Sequence, residues 1–242
     1  EKCKDDISEK CDKLNFQKKL SFDIKGAWIS SIEALPNGNV VLADFNNSKL
    51  YVYNKNLERQ KAVNLPGKPC CIATISADQM AVTLQDNQSI AIVNILSRKT
   101  LKMLKTADHC HGITYNGEHL VVNCLEKGIQ FMNMNGNVQT TLSHVTGEAY
   151  LCSGRNQNVY CAVYWTHTIM CFNKQGEEIY SFTHLTMKCP RGIALHSTGA
   201  VFTLEFSKNK VHAVNSEGSK SRVLLSKKHS INNPLSVLYN EI

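Results

Sequence analysis

The chain has 242 residues, of which 43% are hydrophobic and 19% charged, and a formal net charge of +7. That length buries a core in a single domain, and all-β propellers and barrels often run this long as one unit. No run of 18 apolar residues occurs, which excludes a membrane-spanning helix; the modest positive charge permits a nucleic-acid partner without requiring one.

Residues 1–14 are rich in charge and lack the apolar core of a secretory signal. They read as a polar linker or the end of a preceding helix, with the folded domain over 15–242. Lys18–Ile24 reads as an outer strand with no partners before it. Five runs then follow one pattern: Val40–Asn54, Met80–Asn94, Leu120–Asn133, Val159–Asn173 and Ala200–Asn215. Each is an apolar strand, a short polar turn, a second apolar strand and a closing Asn. The closing residues Asn54, Asn94, Asn133, Asn173 and Asn215 are spaced by 40, 39, 40 and 42. A strand of small apolar residues precedes each run (SIEAL at Ser31, CIATI at Cys71, GITY at Gly112, YLCSG at Tyr150, GIAL at Gly192). A turn and a more polar strand follow it.

Four short strands per unit of about 40 residues is the signature of a propeller blade. A lone blade leaves apolar faces uncovered, and stacking blades around an axis buries them. Leu235–Tyr239 reads as one more inner strand. Paired with Lys18–Ile24, it predicts an all-β, six-bladed β-propeller: five complete blades and an incomplete sixth closed by the N- and C-terminal strands. On the same period, the missing strands of that blade fall beyond Ile242.

Eight of the ten cysteines (Cys70, Cys71, Cys110, Cys124, Cys152, Cys161, Cys171 and Cys189) lie in or beside strand-like runs. A free cysteine packs as a small hydrophobe, so reduced thiols and a cytoplasmic location are expected. Asn-x-Ser triplets begin at Asn46 and Asn87 and gain meaning only in a secreted chain.

The stretches GNVVLADFNNSKLYVYN, HGITYNGEHLVVNCLEKGIQFMNMNGNV and KCPRGIALHSTGAVFTLEFSKNKV resemble the C-terminal NHL-type propeller of tripartite-motif proteins, and above all its divergent invertebrate members, molluscan ones among them. The resemblance runs from about Phe16 to Ile242, and Lys188-Cys189-Pro190-Arg191-Gly192 is its most specific piece. It implies a partner-recognition domain at the end of a RING, B-box and coiled-coil ubiquitin ligase, binding protein or RNA through one face. The chain has no paired zinc-ligand spacing of the RING kind, so it is not expected to transfer ubiquitin itself. Oligomerisation is expected only through a coiled coil, which this stretch lacks.

Strand order places the d-to-a and b-to-c loops on one face. Lys68, His109, Lys127, Trp165, His167, Lys188, Arg191, Phe206 and Lys208 fall in these loops. Cations beside exposed aromatics grip phosphates and stack bases, so single-stranded RNA stands next to a protein as a candidate partner. Interspersed acids, among them Asp86, Asp108, Glu126 and Glu148, fit an ordinary mixed surface. His109-Cys110-His111 lacks a second ligand pair such as Cys-x-x-Cys and reads as loop residues entering an inner strand. No cofactor, metal or catalytic residue is assigned. A metal-dependent lactonase-like propeller needs several converging oxygen ligands, and the inner strands carry only Glu33 as an acid. No Gly-x-Ser-x-Gly motif occurs. A secreted propeller lectin is the remaining alternative, although Trp28 and Trp165 do not occupy equivalent positions in their repeats.

Overall fold

A computed structural model describes residues 23–183 and 187–239. These residues form five four-stranded antiparallel sheets, each meandering outward in sequence order. Sheet 1 holds β1 (Ile29–Ala34), β2 (Val40–Asp44), β3 (Lys49–Tyr53) and β4 (Val63–Asn64). Sheet 2 holds β5 (Pro69–Thr74), β6 (Gln79–Leu84), β7 (Ser89–Asn94) and β8 (Lys99–Lys105). Sheet 3 holds β9 (Ile113–Tyr115), β10 (Leu120–Asn123), β11 (Ile129–Met132) and β12 (Val138–Leu142). Sheet 4 holds β13 (Ala149–Ser153), β14 (Val159–Val163), β15 (Thr168–Phe172) and β16 (Glu178–Thr183). Sheet 5 holds β17 (Pro190–Leu195), β18 (Val201–Glu205), β19 (Lys210–Val214) and β20 (Ser221–Leu225). The first strands β1, β5, β9, β13 and β17 neighbour one another in that order around a central channel.

The recurring Asn has a mechanical role. The side-chain oxygen of Asn133 accepts from the N–H groups of Asn135 and Asn137 at 2.9 and 3.0 Å. Asn54 and Asn173 cap their turns in the same way. An Asx cap of this kind closes the turn from the third strand to the fourth without help from the core. Blades pack face to face through apolar side chains. Val41, Ala43, Leu50 and Val52 of sheet 1 meet Ile72, Met80, Val82 and Ala91 of sheet 2. Val121, Ile129 and Phe131 of sheet 3 meet Val159, Cys161 and Phe172 of sheet 4. The second and third strands are buried on both faces, whereas the outermost strands β8, β12 and β16 are mostly exposed, with one buried residue each.

The blade count corrects the sequence reading: the described residues build five blades, not six. Leu235–Tyr239 forms no ladder. It runs against the inner strands of blades 5 and 1, where Ser236 Oγ accepts from Ile32 N–H at 3.2 Å and the Tyr239 ring lies 4.5 Å from His196 and 5.7 Å from Phe202. Alternating apolar residues read as a strand, but here they serve as channel lining and ring packing. Most of the proposed outer strand Lys18–Ile24 lies outside the described residues; Asp23 and Ile24, at its end, are not in a strand.

Candidate functional site

The inner strands enter the channel through irregular backbone. In β1 the register shifts between Ile29 and Ser31, in β5 between Pro69 and Ile72 and in β17 between Arg191 and Ile193. A bulge opposes two residues to one on the neighbouring strand and re-aims side chains at a barrel rim. Bulges at this end of the strands turn polar side chains into the channel mouth. Each blade contributes: Ser30, Cys70, His111, Glu148 and Arg191 line one cavity of about 370 Å³, together with Trp28, Phe45, Asn46, Gln85, Tyr150 and Leu235. In the sequence these five stand 40, 41, 37 and 43 residues apart. Below the mouth the channel continues as a cavity of about 170 Å³ walled by the inner strands and Ser236–Tyr239.

Arg191 is the mouth's cation. Its guanidinium carbon lies 4.8 Å from the Tyr164 ring centre and 5.1 Å from that of Phe206, and its buried Nε has no hydrogen-bond partner. Burial works against its charge, but Tyr150, Tyr164 and Glu148 outweigh that and hold it above its ordinary pKa. Two aromatic faces thus fix a planar donor fork that keeps unspent hydrogen-bonding capacity. His111 sits edge-on to Tyr150 at 4.7 Å. Burial disfavours its charged form, but Cys70 and Glu148 overcome this and raise its pKa. The neighbouring Cys71 and burial hold the Cys70 thiol well above its usual range. Glu33 lies deeper, on the channel wall, where burial lifts its carboxyl to about 7.

The loops predicted to form the partner face do lie on the side of this mouth. Lys68 places its ammonium 5.3 Å from the Phe45 ring centre. His109 Nδ1 bonds the Gln85 carbonyl at 2.9 Å. Lys127 and Lys188 are exposed. Trp165 is 64% exposed and stacks edge-on against Tyr164 at 4.7 Å. His167 Nδ1 accepts from Cys189 N–H at 3.1 Å and so ties two loops together. Lys208 is paired with buried Glu205 at 3.0 Å, which shares its other oxygen with His212 at 3.0 Å. Arg191, Phe206, Trp165 and His167 gather around blades 4 and 5, while Lys68 and His109 sit across the mouth. Of the nine, only Arg191 lines the mouth cavity. Sequence reasoning did not single out Trp28, Cys70, Gln85, His111, Glu148 or Tyr150 as site residues. For Cys70, His111 and Glu148 the signal was the recurrence, about every 40 residues, of a polar position at the start of each inner strand; Trp28, Gln85 and Tyr150 carry no such signal.

No family model and no curated protein matches the chain. Solved structures do. Virginiamycin B lyase from Staphylococcus aureus superposes with a TM-score of 0.69 at 16% identity, covering 86% of this chain and 73% of that one. A chain of the nidogen/laminin complex gives 0.76 at 14% identity, covering 90% and 86%. A protein of unknown function from Bacteroides thetaiotaomicron gives 0.71 at 12% identity, covering 88% and 64%. The chain shares the β-propeller fold. At these identities the likeness extends to the fold alone.

Proposed function

We propose that this propeller is a non-catalytic recognition domain that grips an acidic segment of a partner protein across its mouth. The observation that carries the reading is the Arg191 guanidinium, held between Tyr164 and Phe206 with its buried Nε unpartnered, beside exposed aromatics. Trp28 and Trp165 are 53% and 64% exposed on that face, and large exposed aromatics near a fixed arginine are the usual anchors of protein interfaces. Acids interrupt the cations: Glu148 lines the cavity itself, which favours a carboxylate reaching one arginine over a continuous phosphate track.

The resemblance to tripartite-motif proteins extends the proposal: the domain selects substrates for a RING ubiquitin ligase. The nidogen/laminin neighbour likewise comes from a complex between proteins. Eight free thiols among the described residues support a reducing, cytoplasmic setting. The test is capture of partners by the purified domain, followed by Arg191→Ala and Trp165→Ala with melting temperature as the folding control. Loss of a charge-assisted contact costs about 1–3 kcal/mol, so each change should weaken capture severalfold or more. Substitutions at Lys55 and Arg59, on the opposite rim, should leave it intact. Binding that survives at the mouth and fails at Lys55 and Arg59 refutes the assignment. Recovery of RNA with a steep salt dependence replaces the protein partner with a nucleic acid.

A further inference from the structure

Cys70, Cys71 and His111 come from two blades and two distant stretches of sequence. One ligand atom from each lies within 4.8 Å of the others, the one such group of three among the described residues. In a regular strand, adjacent residues point to opposite faces. Cys70 and Cys71 escape that rule because the β5 bulge sets both of them against Thr83 alone. Thr83 also supplies the clamp. Its hydroxyl accepts from Cys71 N–H at 2.9 Å and donates to the His111 carbonyl at 2.7 Å, fixing the bulge against the entry to blade 3. The ring of His111 is oriented by Tyr150 at 4.7 Å, and its buried Nδ1 has no hydrogen-bond partner. Cys110, between the histidines, is engaged elsewhere: its thiol points to the Ser89 carbonyl at 3.3 Å.

We propose that Cys70, Cys71 and His111 form a zinc site whose fourth coordination position opens into the mouth cavity. Two thiolates and one imidazole are a zinc donor set, and sites with three protein ligands leave the fourth place to water or a ligand. Tetrahedral zinc sets such atoms roughly 3.5–3.8 Å apart, which small side-chain rotations reach from the observed cluster. Two thiolates balance the charge of Zn²⁺. Cys70 and Cys71 are nearly buried, at 8% and 7% exposure, which keeps the bonds dry, while Cys70 and His111 both face the cavity. The neighbouring Glu148 offers an acceptor for a zinc-bound water.

The experiment strips the wild-type protein with a chelator under a non-thiol reductant and titrates it with Co²⁺ and then Zn²⁺. We expect one equivalent of cobalt with thiolate-to-metal charge-transfer absorption, displaced by zinc. About two protons should be released per zinc, because the ligands must bind deprotonated. Cys71→Ser and His111→Asn should lose the absorption, and Lys55→Ala, on the opposite rim, should keep it. Mass-mapped alkylation of the wild type gives a readout that no variant can spoil by misfolding: zinc should protect Cys70 and Cys71 and leave Cys189 at its unprotected rate. Absence of the charge-transfer band, its persistence in both ligand variants, or equal alkylation of Cys70 and Cys71 with and without zinc overturns the proposal. Metal binding is measured apart from partner capture, so either conclusion can fail alone.

Discussion

Glu205 has no exposed surface, and three neighbours keep it ionised. Burial raises its pKa, but Lys208 and His212, with the Lys188 N–H, outweigh that and bring the net value below 4.5. A carboxyl with a depressed folded value stabilises the fold above its unfolded value and loses that contribution as pH falls through the folded one. Removing one partner of a buried pair costs about 3–5 kcal/mol. Glu205→Ala should therefore lower the unfolding free energy read from urea melts by about that amount at neutral pH and by less in acid. Glu33 has the opposite sign. Its folded value of about 7 exceeds the unfolded 4.5, so its contribution is complete below about pH 4.5 and is lost as pH rises through about 7. Urea melts at about pH 5 and about pH 8 should show wild-type stability declining between them, and Glu33→Gln should flatten that decline. The sequence marked Glu33 as the inner strands' one acid. It gave no sign that Glu205 would be consumed by His212 seven residues on, since that pairing needs the β18–β19 register.

At the level of elements, the inner strands approach one another closely, and one glycine is indispensable for that. A Cβ on Gly112 would fall 2.2 Å from the Ala149 carbonyl oxygen, which its own N–H bonds at 3.1 Å. Gly112→Ala should cost about 1–3 kcal/mol or more through overpacking, read as a lowered melting temperature. Gly38→Ala, whose nearest neighbour would be Lys55 Cβ at 3.7 Å, meets only the strain of φ +82° and should cost about 1–2 kcal/mol. The second, third and fourth strands were legible because their cues are local: apolar runs, an Asx-capped turn, then alternation. The bulged entries of β1, β5 and β17 were not legible, because a bulge is set by the partner strand's register. For that reason His109-Cys110-His111 has no partner pair such as Cys-x-x-Cys in the sequence, whereas the bulge brings the adjacent Cys70 and Cys71 to His111.

For the whole molecule, the period identified a propeller and miscounted its blades. Leu235–Tyr239 carries a strand-like pattern that is satisfied by packing against β1 and β17 rather than by a ladder. Ending the chain after Pro234 should remove the Tyr239 contacts to His196 and Phe202. It should lower the melting temperature while leaving the strand signal in circular dichroism nearly unchanged. The partner face was legible as a set of loops and not as a pocket, because the loops follow from strand order whereas the convergence of five strand entries follows from ring closure. The five mouth residues differ in chemistry although their positions repeat: hydroxyl, thiol, imidazole, carboxylate and guanidinium. Of the five, Cys70 also belongs to the apolar packing between blades, which otherwise rests on other side chains, those of the second and third strands above all. Ligand preference and foldability are thus written in largely separate residues, so a lineage carrying this scaffold can change what it binds one blade at a time, by single substitutions that leave its thermal tolerance in place.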